Sequence, residues 1–377
     1  MNFPLDKFKK AETPFYYYDM VLLQRTIDCV KSYSKDYKIH YAVKANANPY
    51  ILNKIALNGL GADCVSGGEV QAAYNAGIAP EDIVFAGVGK TDAEINLALR
   101  IGIGCFNTES VPEIEAINNL AKQQGKIANI ALRINPNIDA HTHHYITTGL
   151  SENKFGIDID LLPQIIEFTS TLTNVNIIGF HFHIGSQIRD FAPYEALCEK
   201  INELQEIYTD ILLLKSINVG GGLGIDYDNP DSELIPDFEK YFSIFRNKLH
   251  LRPGQTLHFE LGRSIVAQCG SLISRVTYIK YGKSKTFMIV DAGMSELIRP
   301  ALYGAHHYIE NLSAEGIELK KYDVVGPICE SSDVFASEVK LPNSQRGDII
   351  AFRSAGAYGE SMASHYNLRE LKPAIFS

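Results

Sequence analysis

The chain has 377 residues, 46% of them hydrophobic and 21% charged, and carries a formal net charge of −9. That length exceeds an ordinary single domain, so it calls for one large barrel with an appendage or for two domains, and the composition leaves little room for long disorder. The acidic balance excludes the basic face a nucleic-acid binder needs, and the lack of any run of about 18 apolar residues excludes a membrane-spanning helix.

The amino terminus, MNFPLDKFKK, lacks the apolar stretch of a signal peptide. Six scattered cysteines (Cys29, Cys64, Cys105, Cys198, Cys269, Cys329) form no CxxC pair and no zinc-type spacing with histidine. These features predict a reduced, cytoplasmic protein. Pro14–Tyr18, aromatic and strand-like, falls within residues 1–37, a segment expected to join partly with the sheet of a later domain.

From Lys38 onward, short apolar runs alternate with helical patterns such as Glu69–Asn75, Thr91–Leu99 and Tyr194–Tyr208. The runs are Ile39–Lys44, Ala62–Val65, Ile83–Phe85, Gly104–Asn107, Ile130–Asn135, Ile177–Ile184, Ser216–Val219 and Leu257–Leu261. Eight βα units within residues 38–262 predict an α/β fold, a TIM (β/α)8 barrel. After Gly262, Ser271–Lys280, Phe287–Asp291, Tyr322–Gly326, Val334–Val339 and Asp348–Arg353 read as strands, predicting a β-rich, barrel-like domain over residues 263–377.

Chemistry in such a barrel sits where the strands end. Here those ends carry Lys44, Asp63, Arg133, His183, Gly220–Gly222 and Glu260, the last followed by Gly262–Arg263. Lys44 shares an alternation face with Ala42 and His40; it is either a solvent-reaching lysine or a desolvated amine able to condense with an aldehyde. The glycines form either a tight turn or a cradle of N–H groups for a phosphate. His183 is weighed as a metal ligand with His181, Ser186, or the cluster His141, His143 and His144, but no His–Glu spacing of a catalytic metal site accompanies it, so no metal is expected. It can instead stack on a planar cofactor, with Ser186 turned to a phosphate. Glu260 is either a salt-bridged strand-end glutamate or a carboxylate that keeps a pyridine nitrogen protonated.

Ten stretches carry a resemblance: Tyr41–Asn46 (YAVKAN), Gly61–Glu69, Thr142–Gly156, His181–Gln187 (HFHIGSQ), Gly220–Gly222, Glu260–Arg263, Asp291–Gly293, Arg299–Tyr303 (RPALY), Cys329–Asp333 (CESSD) and Ala355–Met362. Together they resemble the fold-type III pyridoxal-phosphate (PLP) dependent decarboxylases, in their diaminopimelate decarboxylase branch. The resemblance implies PLP as cofactor, with Lys44 as the lysine that holds it, His183 on the ring face, Glu260 at the pyridine nitrogen, Asp63 and Gly262 in the cofactor set, and Ser186, Gly220, Gly221, Gly222 and Arg263 on the phosphate side. It further implies that Arg299, Tyr303, Glu330 and Arg263 hold the substrate, that Tyr358 lies near the cofactor, and that Cys329 donates a proton across a homodimer with shared sites. Without the family, Cys329 is equally a buried small hydrophobe. Arg299 and Tyr303, four apart, could face one way on a helical turn and clamp a carboxylate, or be a surface arginine and a core tyrosine.

The expected reaction is decarboxylation of meso-2,6-diaminopimelate to L-lysine. Its rivals are decarboxylation of carboxynorspermidine, ornithine or arginine, racemisation on the same barrel, and a PLP-binding regulator without turnover. Two departures from the family pattern, His144 and Leu261 where proline is usual, bear on loop geometry and remove no functional side chain.

Overall fold

The computed structural model describes residues 3–138, 154–208, 210–314 and 316–377. A first strand, β1 (Phe15–Tyr18), precedes β2 (Tyr37–Ala42), β3 (Gly61–Cys64), β4 (Ile83–Phe85), β5 (Cys105–Thr108) and β6 (Ala128–Asn135). A two-residue strand, β7 (Ile157–Asp158), is followed by β8 (Val175–His181), β9 (Ser216–Asn218) and β10 (Thr256–Leu261). The parallel order β5-β4-β3-β2-β10-β9-β8-β6, with β5 also paired to β6, closes a ring of eight strands. These strands are covered by helices outside and filled by side chains inside, which is why their sequences run almost continuously apolar.

Local chemistry sets the helices between them. Ser66 accepts the Glu69 N–H at the start of Gly67–Asn75, and Thr91 and Glu94 make a reciprocal capping box at Asp92–Ile101, which Gly102 ends in the left-handed conformation at φ 81°. Strand alternation then aims the polar residues. Phe259 points outward, its ring 4.9 Å from Phe242 and 5.0 Å from Phe245, so its neighbour Glu260 must point into the barrel. Phe180 likewise packs against Tyr208 and sends His181 inward.

Two predicted ends shift. The first barrel strand stops at Ala42, and Lys44 lies in a single helical turn, Val43–Ala45, rather than on the alternation face of His40 and Ala42. The sixth stops at His181, which leaves His183 in the loop beyond. At Leu261 the strand continues: Leu261 pairs with Tyr41, a ladder position whose N–H a proline would lack.

The remaining strands, β11 (Gly270–Tyr281), β12 (Thr286–Val290), β13 (Ile309–Asn311), β14 (Leu319–Val325), β15 (Val334–Pro342), β16 (Ile349–Phe352) and β17 (Ile375–Phe376), form a mixed eight-stranded sheet with β1. Strand β1 runs antiparallel to β11 with Phe15 opposite Ile273, and Phe8, Phe15, Tyr17, Ile273, Ile349 and Ala351 make its local core. Two compact units result: Ile27–Gly224 with Asp237–Gly262, and Met1–Thr26 with Ile225–Pro236 and Arg263–Ser377. Ile225–Pro236 thus groups with the β unit although it lies inside the stretch 38–262. Arg353 holds it there by bonding both oxygens of Asp231, at 2.7 and 3.3 Å. Among the described residues no helix is long and apolar enough to cross a membrane.

Candidate active site

At the carboxyl-terminal ends of the barrel strands, Lys44 Nζ lies 3.2 Å from Asp63 Oδ2. Asp63 is buried on β3, and its Oδ1 has no hydrogen-bond partner among the described residues. Burial, and next the nearby Glu260, push the Asp63 carboxyl up, while Lys44 pulls it back. The site therefore holds an amine matched to one oxygen of a carboxylate whose other oxygen is unsatisfied.

Glu260 is held at both of its carboxylate oxygens. Its Oε1 accepts from Asn107 Nδ2 at 3.1 Å and Asn218 Nδ2 at 2.7 Å, and its Oε2 lies 3.0 Å from His181 Nε2. Burial opposes its charge, but His181, by field and hydrogen bond, and Lys44 hold the carboxyl well below the usual carboxylate range. Glu260 is ionised in the interior. His183 carries the opposite character: burial, with Arg133 and Lys44 adding to it, pushes its imidazole well below the ordinary histidine range, which favours the neutral ring. His181, weighed above as a metal ligand beside His183, is instead committed to Glu260. Among the described residues no three His, Cys, Asp or Glu side chains gather as a metal site; His141, His143 and His144, with most of the Thr142–Gly156 stretch, lie outside those residues.

The glycine turn is required by packing as well as by any ligand. A Cβ at Gly221 would sit 2.0 Å from the Glu260 carbonyl oxygen, and one at Gly220 (φ 68°) would sit 2.4 Å from that of Phe182. The Gly220 N–H is taken by Asn218 Oδ1 at 2.9 Å and the Gly221 N–H by His183 Nδ1 at 3.3 Å. The Gly222 N–H, by contrast, donates to no described residue, and Ser186 stands in the loop just after His183. Gly262 keeps the end of β10 against the Lys44 turn, since a Cβ there would lie 3.0 Å from those of Ala42 and Ala45.

The β unit holds the other predicted residues. Arg263 and Arg299 are both buried, and Tyr227 stands between them: its hydroxyl is 2.6 Å from Arg263 Nη1, and the Arg299 guanidinium lies 5.3 Å from its ring centroid. Tyr358, at a φ of 57° rare for a tyrosine, offers its ring to Arg263 at 4.9 Å. Arg299 and Tyr303 share one short helix, Arg299–Tyr303, with Arg299 buried and Tyr303 half-buried. Burial favours the neutral Tyr227 phenol, yet the two guanidiniums bring it below the usual tyrosine range. Arg299 forms no ion pair with a described carboxylate. Cys329 is exposed, not buried, and Glu330 beside it accepts the Tyr366 hydroxyl at 2.7 Å.

Asn107, Asn218 and Tyr227 were not among the expected site residues. Asn107, one residue before the end of β5, and Asn218, the last of β9, lie at strand ends like Glu260, so a signal existed for them. Tyr227 lies in a loop without periodicity and gives none.

An amine at one strand mouth, faced across the same rim by an ionised carboxylate and a neutral imidazole, suits a ring that carries an aldehyde, a basic nitrogen and a phosphate. That frame defines a class, the pyridoxal-phosphate enzymes built on a (β/α)8 barrel. Residues 21–267 match the family model described as pyridoxal-dependent decarboxylase, pyridoxal binding domain. The chain is 57% identical to the diaminopimelate decarboxylase of Bacteroides thetaiotaomicron, over 98% of this chain and 96% of that one, and 43% identical to that of Aquifex aeolicus, over 95% and 84%. It also superposes on the crystal structure of the Helicobacter pylori diaminopimelate decarboxylase complexed with L-lysine, with a TM-score of 0.92, 41% identity and coverage of 98% and 93%. The chain belongs to the diaminopimelate decarboxylase family of PLP-dependent enzymes.

Proposed function

We propose that this protein decarboxylates meso-2,6-diaminopimelate to L-lysine and carbon dioxide, with PLP held through Lys44. Bound PLP supplies an electron-poor ring that takes up the electron pair left behind when a carboxylate departs as carbon dioxide. The chain's own part is to hold, orient and move protons. Lys44, whose Nζ lies 3.2 Å from Asp63 Oδ2, would hold the cofactor by its aldehyde end. Glu260 would partner the ring nitrogen, His183 would cover the ring, and the Gly222 N–H, Ser186 and Arg263 would serve the phosphate.

One observation carries the choice of substrate: Arg299, buried and without an ion-paired carboxylate among the described residues, shares Tyr227 with Arg263. A carboxylate at the distal end of a substrate satisfies such a pair, whereas the basic tails of ornithine and arginine are repelled by it. Glu330 and Tyr303 supply a carboxylate and a phenol for the distal ammonium. Cys329 of the partner subunit returns the proton to the reacting carbon, in a homodimer with shared sites; its exposure in the single chain supports that role. Six free cysteines fit a reduced compartment, and we place the enzyme in the cytoplasm. The test is carbon dioxide release from meso-diaminopimelate, carboxynorspermidine, ornithine and arginine in parallel. Turnover confined to the first supports the assignment, and equal or faster turnover of ornithine or arginine overturns it.

A further inference from the structure

The three donors on Glu260 sit on three different barrel strands, Asn107 on β5, His181 on β8 and Asn218 on β9, and all are buried with it. Two amides fill Oε1, so Oε2, held 3.0 Å from His181 Nε2, is the oxygen that keeps an unused lone pair. His181 Nδ1 is buried with no hydrogen-bond partner among the described residues. An ionised carboxylate can only accept, so the ring proton that faces Oε2 is on Nε2 and His181 donates it to Glu260.

A carboxylate buried against a pyridine nitrogen can share one proton in two ways. With the proton on nitrogen both partners are charged; with it on oxygen both are neutral. Burial favours the neutral pair, because both ions lose their hydration. Hydrogen bonds donated to the carboxylate favour the charged pair.

We propose that His181, with Asn107 and Asn218, is a positioning residue that keeps this proton on the ring nitrogen of PLP, and that its donation to Oε2 is the decisive contact. The inference rests on Glu260 being the partner of that nitrogen. The N–H bond of the ring is kept, no O–H bond forms on Glu260, and His181 neither gains nor loses a proton. The electron-accepting strength of the ring, and with it the preference for losing a carboxylate, is then set by side chains that never touch the substrate.

The test is nitrogen NMR of the holoenzyme reconstituted with PLP labelled with ¹⁵N in the ring, where the chemical shift reports protonation directly. Wild type should show the protonated value. His181→Phe, which fills the space without donating, should move the signal most of the way to the unprotonated value, and Asn218→Leu should move it less far in the same direction, serving as the measurement if His181→Phe does not fold. His181→Gln, whose amide nitrogen stands where Nε2 stands, should restore most of the protonated signal, although it fills the space less well than phenylalanine; failure to restore it overturns the donor role. Glu260→Gln separates the two levels. If the nitrogen stays protonated in Glu260→Gln, Glu260 is not its partner and the underlying assignment falls. If Glu260→Gln strips the proton while His181→Phe and Asn218→Leu read as wild type, the assignment stands and the inference is overturned.

Discussion

Lys44 Nζ meets Asp63 Oδ2 at 3.2 Å across a steep change of environment, the lysine side chain being 38% exposed and the aspartate 1%. The amine is reachable from solvent while its counter-ion is anchored in the barrel. Lys44→Ala should therefore abolish nearly all turnover and the visible absorption of lysine-bound cofactor, with PLP still retained weakly through its other contacts. Borohydride reduction followed by peptide mass analysis should place the cofactor on Lys44 in wild type, and a label found on another lysine refutes the assignment.

Phe259 aims Glu260 by occupying the opposite side of the strand, within 5.7 Å of Tyr241 and closer to Phe242 and Phe245. Phe259→Ala empties that packed position and should cost about 3–5 kcal/mol in urea-induced unfolding. A loss under about 1 kcal/mol contradicts the packing account.

Glu69 stands in the first turn of Gly67–Asn75, and its Oε2 accepts the Val65 N–H at 2.8 Å. Burial outweighs that bond and lifts the carboxyl from 4.5 to about 7. In this window the unfolded chain releases the proton first, so the contribution of Glu69 to stability falls as pH rises from about 4.5 to about 7. Glu69→Gln should remove about 2–3 kcal/mol of that decline, read as the difference between unfolding free energies on either side of the window. Identical pH dependence in variant and wild type means the carboxyl titrates normally.

Subunit mixing tests the shared site. Homodimers of Lys44→Ala and of Cys329→Ala should each be nearly inactive, yet exchange between them should build heterodimers with one intact site, recovering up to about a quarter of wild-type activity for random pairing. Exchange verified by mass without recovered activity shows that both residues act within one chain.

The barrel, its count of strands and the reactive residues at their ends are determined by the sequence itself, because buried strands and capped helices are local patterns. Lys44, Asp63 and Glu260 are legible from strand ends alone, and the ten stretches in order name the family. The tertiary structure alone decided how Glu260 is held: its donors stand 153, 79 and 42 positions away, and only the closure of the ring brings Asn107, His181 and Asn218 to its two oxygens. It also decided that Tyr227, from a loop with no periodic signal, separates Arg263 from Arg299. Strand alternation tells which side of a sheet a residue faces; which side chain stands opposite depends on the register and curvature that the whole chain imposes.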